Sequence, residues 1–238
     1  MNSPQKLMFS QGIYQASSVR KELLGAMRIM DRGRVLRYCQ NGAVALVPGK
    51  PTQSPAGIAN HQNCANVGTT TAVGSTQVTI TLGATAVTAD QYAGGQLLVN
   101  AGTGLAHQYE IESHPAIALS ASGIITLKEP LRAALAATDT KLTLVYNEYA
   151  VNVVSTGSTT NPTGLPNNNV PIGYYYWTQT RGITGGFVTN ALGVNVGLIL
   201  AAAIFVTATS ADTERIIAHA YAKAGVTNEY VPVKLFID

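Results

Sequence analysis

The chain is 238 residues long with a formal net charge of +3, and only 11% of its residues are charged, against roughly 25% in an ordinary soluble domain. That length buries a substantial core, while the thin charge leaves a surface of Thr, Asn, Ser, Gln, Gly and Ala that is poorly protected against association. The most apolar run, GLILAAAIFVTA at 197–208, is short of the ~20 residues a membrane-spanning helix needs; no membrane role is expected, and the run is read as a buried strand.

Residues 1–14 read as an extended arm, with Pro4 early and Gly12 near its end. Removal of 2–16 is expected to leave the fold intact and to abolish binding. From Ser17 the pattern changes. Ser17 or Ser18 is a candidate N-cap, and apolar residues at 19, 23, 24, 27 and 30 predict a short helix over 19–30, with Gly25 its weak point. The next stretch, DRGRVLRYCQNGAVALVPGK at 31–50, predicts a hairpin. Asn41-Gly42 is the signature of a type I′ turn between a strand at 35–39 and a returning run at 43–47. Arg32 and Arg34 fall on one face and Arg37 on the other, which implies a bulge or a two-faced strand.

Charge is unevenly spread. The first 50 residues hold eight basic and two acidic side chains, the remainder seven and ten. Such asymmetry points the N-terminal segment at an acidic partner; the other reading is a basic edge strand whose charges block stray pairing. Cys39 and Cys64 are expected to be free, buried thiols of a cytoplasmically made protein, because residues 1–10 have no apolar core of signal-peptide length.

Downstream, Pro48, Pro51 and Pro55 interrupt regular structure. Between 67 and 111 strands alternate apolar and polar residues, with turn signals every 8–12 residues, the spacing of a sandwich or barrel. Further strands are predicted at 123–128, 141–146, 151–154, 173–182, 187–190, 198–208 and 229–238, with one helical turn after Pro130 and a helix or strand-turn-strand at 211–224. The expected architecture is all-β, sandwich or barrel-like, with a short N-terminal helix and an extended N-terminal arm. Residues 1–30 form the arm and helix and 31–238 one β domain; a sub-boundary within the uncharged, proline-rich 155–172 is the alternative division.

The residues give no sign of catalysis. There is no G-x-S-x-G, and His61, His107, His114 and His219 stand outside any motif. His61-x-x-Cys64 is the only close pair of metal-ligand types and lacks a matching second pair; the histidines are expected on a Thr/Asn-rich surface. Glu110 and Glu112 share a strand face and are too close for a glycosidase pair. Gly102-Thr-Gly104 is a turn, not a phosphate loop. No cofactor or metal is expected. The basic residues of 20–37 are a thin electrostatic footprint, so direct nucleic-acid binding is not expected. Tyr174, Tyr175, Tyr176 and Trp177 offer rings to a base, a sugar or a protein interface.

Three stretches carry a resemblance: VRKELLGAMRIMDRGRVLRYCQNGAVALVPGK at 19–50, GYYYWTQTRG at 173–182, and EYVPVKLFID at 229–238. The first looks like a basic "D-G-R-V-x-R-Y…G-A…A-G-K" opening, with Arg32 inserted here, and the second like an aromatic "G-x-Y-x-W-x-Q-x-x-G" strand. The chain thus resembles the capsid decoration, or cement, proteins of tailed bacteriophages. The resemblance implies a non-enzymatic virion subunit on the outer face of the head, bridging major capsid protein subunits, often as a homotrimer. The arm at 2–20 and the basic ribbon at 31–50 would then make the contacts, with Arg20, Lys21, Arg32, Arg34, Arg37, Tyr175, Trp177 and Arg181 as interface candidates. Rival readings are a head-fibre, tail or major capsid subunit, and a carbohydrate-binding module using residues 174–177.

Overall fold

The computed structural model describes residues 9–157, 160–201, 204–208, 215–222 and 228–238. In chain order its strands are β1 (Met27–Ile29), β2 (Val35–Gln40), β3 (Thr52–Gln53), β4 (Cys64–Asn66), β5 (Gln77–Thr81), β6 (Gln96–Ala101), β7 (Gln108–Ser113), β8 (Ser122–Leu127), β9 (Lys141–Val145), β10 (Val153–Val154), β11 (Pro162–Pro166), β12 (Tyr175–Val188), β13 (Gly197–Ala201), β14 (Ile204–Thr207), β15 (Ala218–Ala220) and β16 (Glu229–Phe236). The fold is all-β and barrel-like. It forms two compact units, one from residues 1–55 with 148–238 and one from 56–147. The chain therefore divides at 55/56 and 147/148, not at 30/31 or within 155–172.

The unit at 56–147 is a closed six-stranded barrel in the order β4-β5-β8-β7-β6-β9. The ring is completed where Cys64 pairs with Leu142 and Ala65 with Lys141. Alternation explains its core: Val78 and Ile80, Leu97 and Val99, Tyr109 and Ile111, and Leu142 and Leu144 point inward and are buried, while their strand neighbours face outward. Two of the histidines expected at the surface are instead buried in this unit. His61 Nε2 donates to the Thr85 carbonyl (2.9 Å), which leaves Nδ1 to accept from the Tyr92 hydroxyl (2.7 Å). His114 Nε2 accepts the Tyr92 amide (3.1 Å), while Nδ1 donates to the Pro115 carbonyl (2.9 Å). Both His61 nitrogens are thus hydrogen-bonded within the barrel. Residues 130–135 contain no helical turn.

The other unit is organised by the 14-residue β12. Its first half pairs with β2, Tyr176 facing Cys39 and Trp177 facing Tyr38. Its second half pairs with β16 through eight consecutive residues from Arg181 to Val188. Pairings β12–β14–β13–β15–β16 lead back to β12, so these strands also close a ring. Leu198, Leu200, Phe205, Val231, Val233 and Leu235 are buried in its apolar cluster. Of the segment at 211–224, residues 211–214 and 223–224 lie outside the described residues, and Ala218–Ala220 within it is strand.

Two N-terminal expectations are corrected. No helix forms over 19–30; this stretch ends in β1, which pairs with β2 from Met27 facing Arg37 to Ile29 facing Val35. The hairpin turn is therefore at Asp31–Gly33, where Arg32 (φ 61°) and Gly33 (φ 73°) both take the left-handed conformation; Gly33 supplies the left-handed residue with which a three-residue hairpin loop ends. Neither Asn41 nor Gly42 has a positive φ. Gly42 instead lies against residues 151–152, where an added Cβ would come 2.9 Å from the Val151 carbonyl oxygen, and its amide donates to the Asn152 carbonyl at 2.7 Å. The glycine is there for close backbone approach, not for a turn.

Both thiols are free and buried. Burial pushes Cys39 and the Tyr176 hydroxyl well above their ordinary values of 9.0 and 10.0, and raises Cys64 as well. The folded protein thus keeps protons that the unfolded chain releases. Stability is full below the ordinary thiol value and falls as pH rises through and beyond it. In maleimide labelling at pH 8, native protein is expected to modify neither cysteine, with both reacting in denaturant. Labelling of Cys39 in the native chain would mean that the β2–β12 core opens readily, and labelling of Cys64 that the barrel does.

Candidate docking surface

The first described residues are bound into the fold. Phe9 packs edge-on against Trp177 (centroids 4.9 Å apart, 84°), and Tyr38 contacts the same ring at 5.1 Å. Gln11 is the hub: its carbonyl accepts from Trp177 Nε1 (3.1 Å) and Arg28 Nη1 (3.2 Å). Its side-chain Nε2 donates to the carbonyls of Gln15 (2.8 Å) and Tyr175 (2.9 Å), and its Oε1 accepts from the Tyr38 hydroxyl (2.7 Å). The Arg28 guanidinium lies over Phe9 and Trp177 at 5.1 and 5.8 Å, a cation–π arrangement. Phe9, Gln11 and Ile13 are therefore packed into the fold while Ser10, Tyr14 and Gln15 stay exposed, contrary to the expectation of a separable arm; residues 1–8 of that arm lie outside the described residues. No motif marks Gln11; its role depends on Trp177, 166 positions away.

The apolar residues between 19 and 30 divide by alternation rather than by helical stripe. Leu24, Ala26 and Met30 pack against Leu36, Tyr38 and Trp177. Val19, Leu23, Met27 and Ile29 face solvent, Leu23 at 70% and Ile29 at 69% exposure. Met27 and Ile29 project from the β1 face opposite Arg28. Exposed Arg20, Lys21 and Arg32 flank this apolar set. Of the two nearby acids, Glu22 is engaged by the amide and hydroxyl of Ser10 at 2.7 and 2.9 Å, and Asp31 is at the hairpin turn.

Of the remaining interface candidates, Arg34 and Arg37 lie beside and on β2, and Tyr175, Trp177 and Arg181 on its partner β12. Arg37 is half-buried, paired with Asp238 at 2.9 Å and donating to the Gly25 carbonyl at 3.1 Å. Arg34 uses Nε and Nη2 on Gln179 Oε1, at 3.0 and 2.8 Å. Tyr175 is half-buried and stacked on Tyr38, Arg181 is exposed, and Trp177 is fully buried. Trp177 cannot meet a partner from there, because sheet pairing and residues 9–13 cover the ring. Tyr176 is equally buried, so within 174–177 only the half-buried Tyr174 and Tyr175 reach solvent.

Among the described residues no three His, Cys, Asp or Glu side chains are placed to hold a metal ion, and no helix is long and apolar enough to cross a membrane. No protein-family model, curated protein or solved structure matches this chain.

Proposed function

We propose that this protein is a structural subunit of a virion, decorating the outer face of a phage head by docking residues 19–32 onto the acidic surface of the major capsid protein. The observation that carries this reading is the solvent-facing group Val19, Leu23, Met27 and Ile29, set among Arg20, Lys21 and Arg32. Exposed apolar side chains accompanied by exposed basic ones suit a protein surface of opposite charge. The weak overall charge suits a chain that functions within an assembly. Several copies, most simply a trimer on a local threefold axis, would multiply a modest single contact through avidity.

Leu23→Asp with Ile29→Asp tests this. Both side chains are exposed, so the folded state should change by no more than about 0.5 kcal/mol. Binding to heads lacking the protein, read by co-sedimentation, should fall at least ~100-fold, since apolar anchors dominate such contacts. Val73→Asp, a similarly exposed position in the barrel unit, should bind as wild type. Undiminished binding by the double variant would overturn this assignment of the surface.

A further inference from the structure

A second surface feature in the unit formed by 1–55 and 148–238 is a cavity of about 360 Å³ whose lining includes Tyr14, Arg34, Pro166, Asn167, Ile183 and Tyr230. This is within the ~300–1,000 Å³ range of small-molecule sites. Gln179 fixes the Arg34 guanidinium through Nε and Nη2, leaving Nη1 without a hydrogen-bond acceptor among the described residues. Asn167 Nδ2 is shielded from solvent and has no partner among the described residues. Among the described residues no acidic side chain lines the cavity. A buried donor without an acceptor is costly, and a ligand oxygen would relieve that cost here.

The walls narrow the class of ligand. Tyr230 is held in place across the sheet from Phe187, its register partner, with ring centroids 5.3 Å apart, yet it remains 52% exposed. Tyr14 is likewise exposed. Half-exposed phenol rings next to planar guanidinium and carboxamide groups suit the C–H face and hydroxyls of a sugar ring. The uncompensated guanidinium favours a carboxylate on that sugar. We infer that this cavity binds an acidic saccharide unit, a hexuronate or sialic-acid-type residue, with Arg34 and Asn167 meeting the carboxylate and Tyr230 stacking on the ring. The site is separate from the docking residues Val19, Leu23, Met27 and Ile29, so the two proposals stand or fall independently.

The test is calorimetric titration of the full chain with three probes: a tetrasaccharide of alternating glucuronate and N-acetylglucosamine, the neutral N-acetylglucosamine tetramer, and tetraglutamate. The acidic tetrasaccharide should bind about tenfold or more tighter than either control, because a site built around donors rejects ligands lacking the acceptor. Asn167→Ala, with an unchanged melting midpoint, and Tyr230→Ala, with a midpoint modestly lowered by loss of the Phe187 contact, should each weaken it about tenfold. Asn167→Asp should weaken it further by repelling the carboxylate. Absent binding, equal affinity for the neutral sugar or for tetraglutamate, or wild-type affinity in the folded Asn167→Ala and Tyr230→Ala variants would overturn the inference.

Discussion

Residues 56–147 produced without the rest of the chain are expected to fold into a barrel with cooperative unfolding and a stability of about 5 kcal/mol, the lower end for domains of this size. The unit has its own apolar core, including Val78, Ile80, Tyr92, Leu97, Ile111, Ile125 and Leu144. Closure removes exposed strand edges, and β4 and β9, its first and last strands, pair with each other. The excised ends therefore emerge from neighbouring strands. The rest of the chain makes the same geometry available in reverse: β3 and β10, just before and after the insertion, are antiparallel partners with Gln53 facing Val153 and Thr52 facing Val154. Replacing 56–147 with a short Gly/Ser linker should leave that register in place. Amide chemical-shift dispersion and denaturant titration of both pieces would decide it. A collapsed, poorly dispersed spectrum for 56–147 would show that the barrel needs the remaining chain to hold its shape.

What could be read from the sequence was local periodicity. The alternation in Gln77–Thr81, Gln108–Ser113 and Lys141–Val145 marked strands that are present and that bury the residues alternation assigns inward. Pairing partners were not legible in the same way. Strand β2 finds β12 about 140 positions away, and nothing near residue 40 encodes that choice. The Asn41-Gly42 signal was genuine turn chemistry, overridden when the backbone at Gly42 packed against residues 151–152. The 19–30 stretch carries apolar residues whose spacing satisfies a helix loosely. Its even-numbered members Leu24, Ala26 and Met30 fit the strand period and face the aromatic cluster, and tertiary packing decided between them. The insertion was hidden because the prolines around its entry read as an ordinary loop, and residues 151–154 after its exit continued the β texture of the barrel. As for the sites, Arg20, Lys21 and Arg32 were visible as exposed charge. Gln11, Asn167 and Tyr230 were not, since a hub and an unsatisfied donor exist only once distant segments meet.

Trp177→Ala is expected to cost the unit formed by 1–55 and 148–238 about 3–5 kcal/mol, the range for deleting a buried aromatic side chain. The ring is fully buried and holds three elements at once: Phe9 from the N-terminal segment, Tyr38 from β2, and Arg28 from β1. Its Nε1 also donates to the Gln11 carbonyl, so truncation loosens the residue whose other groups hold Tyr38 and Tyr175. The damage should spread to residues 9–30 and with them the docking surface, so head binding falls alongside stability. Trp177→Phe keeps most of the packing and gives up the indole hydrogen bond, for a smaller loss of about 1–2 kcal/mol. Since the chain has a single tryptophan, wild-type emission should be blue-shifted and shielded from acrylamide until this unit unfolds. In Trp177→Ala, circular dichroism should show the β-sheet signal lost in two steps, the first at a much lower denaturant concentration than in wild type. The second, from the barrel at 56–147, should keep its wild-type midpoint. A loss below about 1 kcal/mol, or native emission open to acrylamide, would mean that this aromatic knot does not anchor the N-terminal segment, and the rigid presentation of Val19, Leu23, Met27 and Ile29 would lose its physical basis.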